Sequence, residues 1–256
     1  MTEEPRDESG RPYHIRLARK DVGRIAFLPG DPERVPRIAK RFQDARDLGS
    51  HREYRAWAGR VGKEKVIAMS TGIGGPAAAI AIEELARLGV KVMIRVGTCG
   101  AIIAEVRTGS VIIADAAVRM DGTSAQYVMP GYPAAATPGV VMALSEAAAS
   151  RGERYAVGIT ASADAFYAGQ GRESFGGYLP SGSARLLDDM RGARVLCFEM
   201  EAATLFTLGR VFGLKTGAVF GVVANRATNQ LRLDAGVDDA IDTAVDAVKL
   251  LKKYGV

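Results

Sequence analysis

The stretch KVMIRVGTCGAI, residues 91–102, decides how we expect this chain to fold. Its first half, Val92-Met93-Ile94, is an uninterrupted apolar run, which is typical of a parallel strand buried on both faces. Arg95 follows, and a guanidinium leaving a buried strand needs an anionic partner because an unpaired buried charge is strongly disfavoured. Residues 97–100, GTCG, predict a turn whose backbone N–H groups converge on the same anion. The stretch therefore predicts the floor of a phosphate site.

The segment before this stretch supplies the rest of a β-loop-α-β unit. Residues 65–70 read as an apolar strand, and apolar residues then recur every three or four positions after Pro76, which predicts an amphipathic helix. Residues 65–96 thus predict a right-handed crossover between parallel strands. Similar patterns predict strands at 25–28, 110–118, 155–162, 194–199 and 217–224, and helices at 33–42, 138–151, 200–212 and 237–253.

Length and composition indicate one α/β domain over residues 1–256, with 1–12 as a flexible polar arm. The net charge of +5 comes without a dense basic run or an aromatic-interleaved basic patch, so we expect no nucleic-acid partner. No apolar run reaches membrane-spanning length, which argues against a membrane partner. Two cysteines are too few for a disulfide framework. Together these features predict a cytoplasmic protein.

Three glycine- or proline-rich loops follow predicted strands, at 29–32, 71–76 and 97–100. In an open α/β sheet, ligands bind where such strands end. Any one of these loops alone is more often a simple turn, and none has the G-x-G-x-x-G spacing of a dinucleotide site. Arg34, Arg52 and Arg95 lie near them in sequence, and the planar fork of arginine binds phosphate oxygens in pairs. The three loops together therefore favour an anion site.

Two further clusters carry candidate binding groups. Glu199 and Glu201 flank Met200 where a strand enters a helix. One reading is that both are first-turn acids, which the helix dipole stabilises. The other is that Glu201 accepts hydrogen bonds from a sugar diol. Gln170 and Arg172 follow Phe166 and offer the donors and acceptor that match the edge of a heterocycle such as uracil. A solvent-exposed loop is the alternative for this second cluster. Cys99 as a nucleophile is disfavoured, because no histidine is placed to activate it.

Nine motifs, in order along nearly the whole chain, resemble the nucleoside phosphorylase family and, within it, the uridine phosphorylase branch. They are PGDPER at 29–34, SHRE at 50–53, STGIGGP at 70–76, IEELARLG at 82–89, RVGTCGAI at 95–102, RMDG at 119–122, TASADAFYAGQGR at 160–172, FEMEAATL at 198–205 and GVVANR at 221–226. The resemblance implies a three-layer α/β/α fold around a central mixed, partly barrel-like sheet. It implies phosphorolysis of a nucleoside, with inorganic phosphate as co-substrate and without a cofactor.

The same resemblance implies a role for each matching residue. Phosphate would be held by Gly30, Arg34, Arg95 and Thr98, with Arg52 supplied by a neighbouring subunit. Ribose would be held by Thr98, Met200 and Glu201, with His14 from that neighbour. The base would meet Gly100, Phe166, Gln170, Arg172 and Glu199, with Arg226 near a base carbonyl. The groups expected to act on the reacting atoms are Arg95, Gln170, Arg172 and Arg226.

The resemblance also implies a homo-oligomer with a dimer as the minimal active unit, commonly a hexamer built as a trimer of dimers. A monovalent cation such as K⁺ would lie between subunits near Glu53. Two departures bear on these expectations: Cys99 replaces a threonine in the phosphate segment, and Ala77 replaces a serine near the cation. Segments 171–190 and 227–236 are candidate lids.

The base preference rests on position 225. Purine-specific relatives carry an acid there that protonates the leaving base, whereas this chain has Asn225, and an amide cannot supply that proton. The sequence therefore favours a pyrimidine nucleoside. A purine or broad-specificity phosphorylase, a nucleosidase that uses water, and a non-enzymatic nucleoside or nucleic-acid binder remain as alternatives.

Overall fold

The computed structural model describes residues 4–256. Residues 1–3, which belong to the predicted flexible arm 1–12, lie outside this range. The described strands are β1 Ile25–Leu28, β2 Gln43–His51, β3 Tyr54–Val61, β4 Glu64–Met69, β5 Val92–Ala101, β6 Val111–Met120, β7 Ala134–Ala135, β8 Tyr155–Ala163, β9 Cys197–Glu199, β10 Lys215–Asn225 and β11 Gln230–Leu231. The α-helices are α1 Arg34–Ala39, α2 Gly75–Arg87, α3 Gly122–Ala125, α4 Pro138–Ser150, α5 Leu186–Gly192, α6 Ala202–Val211 and α7 Val237–Ala247.

All these strands belong to one mixed sheet in the order β11-β10-β6-β8-β9-β5-β1-β4-β3-β2, with β7 beside β6. A further pairing joins β10 to β5, so β5, β10, β6, β8 and β9 close into a five-stranded barrel. Strands β1, β4, β3 and β2 extend the sheet beyond it. This arrangement confirms the predicted mixed α/β fold with a partly barrel-like sheet.

Apolar side chains cover both faces of the sheet, as a three-layer architecture requires. One cluster includes Ile82 and Leu85 of α2 and Phe206 of α6. The other includes Ile38 of α1 and Ile241 of α7. These helices therefore pack on opposite sides of the sheet.

Strand β5 lies at the centre of the sheet because it pairs with β1 and β10 in parallel and with β9 in antiparallel orientation. The predicted turn at 97–100 is wrong: β5 continues without interruption to Ala101. Its neighbour β10 pairs with it along this whole length, so the backbone groups there are committed to the sheet. Gly97 serves close packing instead, since a Cβ at this position would lie 2.7 Å from the ring of Phe220.

The predicted crossover from β4 through α2 to β5 is present, with β1 inserted between the two parallel strands. The hairpin of β2 and β3 was not predicted, because β2 is mostly exposed and polar and therefore has no apolar pattern. The predicted strand 194–199 is shorter, because Arg194 has a φ of 62°, which is left-handed, and β9 begins only at Cys197. The predicted helix 237–253 ends at Ala247 and is followed by a 3₁₀ turn, Leu251–Tyr254.

Across residues 4–256, no helix combines the length and the apolar character needed to cross a bilayer.

Candidate active site

A cavity of about 770 Å³, here called the central cavity, opens where β1, β4 and β5 end. The sequence motifs converge there although they are far apart along the chain. Predicted site residues that line it are Gly30, Arg34, Arg95, Thr98, Gly100, Phe166, Gln170, Arg172, Glu199, Met200 and Glu201. This convergence agrees with the rule that ligands bind at strand ends in α/β sheets.

Two guanidinium groups lie at one end of the central cavity. Arg95 extends from β5 and is only 6% exposed. Arg34, at the start of α1, donates to the carbonyl of Val96 at 3.4 Å. Burial, followed by repulsion from Arg95, lowers the pKa of Arg34. Within residues 4–256, Arg34 has no carboxylate within 4 Å. Arg34 is therefore the member of this pair whose charge has no carboxylate partner in the described chain and is available to an anion.

Gly30 permits the close approach of Arg95 to the loop after β1. A Cβ at Gly30 would lie 3.7 Å from Nη2 of Arg95 and 3.1 Å from the carbonyl oxygen of Gly72. A larger side chain would thus fill the space beside the guanidinium. The predicted contact of Gly30 with phosphate stays a prediction.

The anionic partner of Arg95 within the chain is a pair of buried carboxylates. Nη2 of Arg95 forms an ion pair with Glu201, and Nε lies 3.8 Å from Oε2 of Glu199. The other oxygen of Glu201 accepts from the backbone N–H of Gly74 at 2.6 Å. Glu201 therefore connects the loop after β4 to the floor of the cavity, beside Met200.

Glu199 has protein partners for both oxygens. Oε2 accepts from the backbone N–H groups of Glu201 and Ala202 at 2.8 Å each, and Oε1 accepts from the hydroxyl of Ser162. Burial raises the pKa of this carboxyl, while Arg95 opposes the rise. These contacts support the alternative reading, in which Glu199 stabilises the start of α6. The predicted contact of Glu199 with the base gains no support from this geometry.

At the opposite end of the cavity, an arginine is held over an aromatic ring. The guanidinium of Arg172 lies 4.3 Å from the ring centroid of Phe166, donates to the Phe166 carbonyl at 2.9 Å, and bonds Oε1 of Gln170. Gln170 is buried, and Phe166 is half exposed at the mouth of the cavity. Burial lowers the pKa of Arg172. This cluster presents donors and a stacking face, as a planar heterocycle requires.

Arg226 lies behind this cluster rather than on the cavity wall. Its Nη1 donates to the carbonyl of Gln170 at 2.5 Å, and its Nη2 donates to that of Gly171 at 3.3 Å. The predicted place of Arg226 near a base carbonyl stays a prediction; within the chain, its guanidinium contacts these two backbone carbonyls. The neighbouring Asn225 is buried, and its Nδ2 donates to the carbonyls of Ile103 and Val106 at 2.9 and 2.6 Å.

His14, Arg52 and Glu53 do not line the central cavity of their own chain. His14 bonds Glu84 at 2.7 Å and borders a second cavity of about 610 Å³. Arg52 is exposed and lies 5.6 Å from the ring centroid of Tyr13. Their predicted supply by a neighbouring subunit stays a prediction.

The cation expected near Glu53 has few ligands within one protomer. Ala77 has no side-chain oxygen, and its carbonyl accepts from the hydroxyl of Tyr54 at 3.0 Å. Residues 4–256 hold no cluster of three or more His, Cys, Asp or Glu arranged to bind a metal. Because the expected cation would lie between two subunits, the predicted site near Glu53 stays a prediction.

The two cysteines are free thiols. Cys99 and Cys197 are both buried, and burial raises the pKa of the Cys197 thiol. A nucleophilic thiolate needs the opposite shift. Cys99 lines the central cavity, and its predicted lack of a nucleophilic role stays a prediction.

The mouth of the central cavity carries apolar side chains that the sequence analysis did not identify as site residues. Ile73, Leu231 and Leu233 are exposed by 77%, 67% and 79%. The sequence signal for these residues was a large apolar side chain in an otherwise polar loop. Single exposed apolar residues are common on protein surfaces, so this signal is too weak to identify a binding site.

Comparisons with known proteins show which family the sequence resembles. The profile described as "Phosphorylase superfamily" matches residues 24–254. The chain is 52% identical over 252 residues to a uridine phosphorylase of Thermococcus kodakarensis, covering 98% of this chain and 91% of the relative. It is 39% identical over 222 residues to a uridine phosphorylase of Escherichia coli, covering 86% and 88%. It is 38% identical over 237 residues to a guanosine phosphorylase of Halorubrum lacusprofundi, covering 92% of each.

Proposed function

Because the chain belongs to the phosphorylase superfamily, we propose that it catalyses the reversible phosphorolysis of uridine to uracil and ribose 1-phosphate. The observation that carries this proposal is the central cavity itself. A pair of guanidinium groups lies at one end of it, and the Phe166, Gln170 and Arg172 cluster lies at the other. The two ends match the two substrates, inorganic phosphate and a pyrimidine nucleoside.

Phosphate is the nucleophile in this proposal. Arg34 and Arg95 hold its oxygens, with Gly30 and Thr98 beside them and Arg52 contributed by a second subunit. The ion pair of Arg95 with Glu201 fixes the direction of the guanidinium. An oxygen of phosphate attacks C1′ of the ribose, the C–N bond to the base breaks, and its electron pair leaves with uracil.

Ribose lies between the two ends. Glu201 and Met200 line the cavity, and the Glu201 carboxylate beside Arg95 can accept hydrogen bonds from the 2′- and 3′-hydroxyls. Glycosidic cleavage builds positive charge on the sugar, as in glycoside hydrolysis. The buried carboxylate of Glu201 lies where it can stabilise that charge. His14 of a second subunit would meet the 5′-hydroxyl.

The uracil leaves as an anion, and fixed donors stabilise it. Gln170 and Arg172 are held together above Phe166 and can bind the carbonyl and N–H groups of the base edge. No acid is needed for this base, which agrees with Asn225 being fully engaged with backbone groups. Preorganised donors of this kind make the largest single contribution to the rate enhancement of many enzymes.

We also propose a dimer as the minimal active unit, assembled into a hexamer. The support is that His14 and Arg52 lie outside the central cavity of their own chain. In such an oligomer, His14 of one subunit would complete the ribose site of its neighbour, and Arg52 would complete the phosphate site.

A purine substrate is the second candidate, because one similar protein is a guanosine phosphorylase. One experiment separates the candidates: release of free base from uridine and from inosine, each with and without phosphate. We expect phosphate-dependent release of uracil and little hypoxanthine. Uracil release that does not need phosphate would identify a nucleosidase and contradict the proposal. Faster turnover of inosine would favour the purine enzyme.

A further inference from the structure

The contacts of Arg226 within the chain indicate a role in addition to the predicted one, because its guanidinium donates to backbone carbonyls of the base-binding segment. Its guanidinium is half buried, and within residues 4–256 it has no carboxylate within 4 Å. Burial, followed by repulsion from Arg172 and Arg191, lowers its pKa to about 10. Its hydrogen-bond acceptors in this unfavourable environment are two consecutive backbone carbonyls, those of Gln170 and Gly171.

Those two carbonyls belong to the segment that carries the base-binding side chains. Residues 168–172 form a 3₁₀ turn, Ala168–Gln170, that ends at Gly171 with a φ of 64°. The turn's backbone hydrogen bonds run to Tyr167 and Ala168, which are next to it in sequence. Within the described chain, the hydrogen bonds that join residues 168–172 to the barrel are those from Arg226. The turn therefore depends on Arg226 for its polar attachment.

Arg226 is itself fixed by the end of β10. Its backbone N–H donates to the carbonyl of Ala101 at 2.9 Å, so it lies against the end of β5. The side chain of the preceding residue, Asn225, accepts from the N–H groups of Ala227 and Thr228 at 2.8 and 3.1 Å. Asn225 thus shapes the turn from which the Arg226 side chain extends.

We infer that Asn225 and Arg226 form a latch, in which Asn225 fixes the turn after β10 and Arg226 holds the 168–172 segment so that Gln170 and Arg172 face the base. Arg226 is then a positioning residue, and its fork-shaped pair of donors matters more than its charge. The inference rests on the proposed function, since it assigns Gln170 and Arg172 to the base.

Charge and geometry can be separated by comparing two substitutions. Arg226→Lys keeps the positive charge, but an ammonium group on a shorter stem cannot serve both carbonyls in the arginine geometry. Arg226→Met removes the charge and the donors. Arg210→Lys is the matched control, because Arg210 donates to the consecutive carbonyls of Ala135 and Ala136 at 3.4 and 2.9 Å, away from the central cavity.

Two measurements on each variant test the latch. Hydrogen exchange followed by mass spectrometry reports the opening of residues 168–172 and needs no substrate. Steady-state kinetics with uridine and phosphate reports KM for each substrate. We expect both Arg226 variants to exchange faster across 168–172 and to raise KM for uridine about tenfold, the effect of losing a charge-assisted hydrogen bond. KM for phosphate and all properties of Arg210→Lys stay at wild-type values.

The latch is overturned if Arg226→Lys keeps the wild-type exchange rate and KM for uridine while Arg226→Met loses activity, because charge would then be sufficient. It is also overturned if neither variant changes exchange across 168–172. A wild-type protein without phosphate-dependent uracil release would instead refute the proposed function, and the exchange measurement would still report on the latch.

Discussion

At the scale of single residues, Arg95 connects the two charged parts of the site. It is buried, it pairs with Glu201, and it approaches Glu199 at 3.8 Å. The surrounding β5 backbone holds it at the end of the cavity where phosphate is proposed to bind. The consequences of removing it therefore concern both substrate binding and the two carboxylates that would lose their cation.

For Arg95→Ala we expect a loss in kcat/KM on the order of 10²–10³, the typical effect of deleting one preorganised electrostatic donor. The measurement is phosphorolysis of uridine, with circular dichroism to show that the variant is folded. Arg46→Ala is the control, because Arg46 makes a surface ion pair with Asp21 at 3.3 Å. Near-normal turnover by folded Arg95→Ala would contradict the phosphate assignment.

Asn225 gives a second prediction at this scale. Asn225→Asp replaces an amide that donates to two buried carbonyls with a carboxylate that has no donors. We expect a loss of about 1–3 kcal/mol in the free energy of unfolding, the cost of leaving buried polar groups unpaired. We expect no gain of inosine phosphorolysis, because the side chain points at backbone and not at the base.

Thermal unfolding and an inosine assay of the same preparation check this prediction. A variant that is as stable as wild type and cleaves inosine would show that position 225 can act on a base in this protein.

At the scale of secondary-structure elements, β5 and β10 pack through a glycine. A Cβ at Gly97 would lie 2.7 Å from the ring of Phe220, which is fully buried on β10. We expect Gly97→Ala to lower the free energy of unfolding by about 1–3 kcal/mol, the usual cost of overpacking a core. Gly182→Ala is the control, since a Cβ there has no neighbour within 4 Å.

Denaturant unfolding of the two variants measures this difference. The double variant Gly97→Ala with Phe220→Leu should recover part of the loss, because a smaller side chain gives the new methyl group space. Equal stability of Gly97→Ala and Gly182→Ala would contradict the packing argument.

The contact between α1 and α7 gives a prediction about pH. Arg37 of α1 and Arg41, which follows the end of that helix, each contact Asp238 of α7 at 3.1 Å. Burial alone would raise the pKa of Asp238, but the hydrogen bond and charge of Arg37, and then the charge of Arg41, lower it overall below its ordinary value of 3.8. A lowered pKa in the folded state means that the contribution to stability is present above pH 3.8 and is lost as the pH falls through the folded value.

For Arg37→Met we expect a loss of about 0.2–1 kcal/mol at pH 7, the range of exposed ion pairs. The difference from wild type should shrink as the pH falls below 3.8 towards the lowered pKa that Asp238 has in the folded state. Urea unfolding of both proteins between pH 3 and 7 measures this. A difference that grows toward low pH would contradict the assignment.

At the scale of the whole molecule, the apolar runs predicted the elements of the barrel well, since a strand buried on both faces has few polar residues. The β2–β3 hairpin has no such pattern, because one side of it meets solvent. The turn predicted at 97–100 was wrong because a glycine can also permit close packing inside a strand. Its packing partner, Phe220 on β10, is far from Gly97 in the sequence, so the local sequence does not reveal it.

For the candidate site, the sequence identified several residues but not all of their contacts. Arg95, inside β5, and Glu201, just after β9, could be identified because charged residues beside buried apolar runs are conspicuous in the sequence. The contacts of Glu199 and Arg226 could not be predicted, because each depends on backbone groups whose positions exist only in the folded chain. The partner-dependent role of His14 and Arg52 came from the family resemblance alone.

The proposed sharing of residues between subunits predicts complementation. Arg52→Ala impairs a neighbour's cavity, and Arg95→Ala impairs its own. A dimer of one such chain with the other has one intact cavity, so random mixing should restore roughly a quarter of wild-type activity. Activity of the two proteins, unfolded together and refolded, measures this against each variant refolded alone. No recovery above the sum of the separate variants would contradict shared sites.

The central claim is that phosphate itself attacks the sugar while the base leaves. The most direct test uses phosphate labelled with ¹⁸O at all four oxygens, with uridine as the other substrate and ³¹P NMR of the product. The account predicts ribose 1-phosphate that retains all four labels, one of them in the bond to C1′. Free ribose with unchanged labelled phosphate would show that water is the nucleophile and would contradict the account.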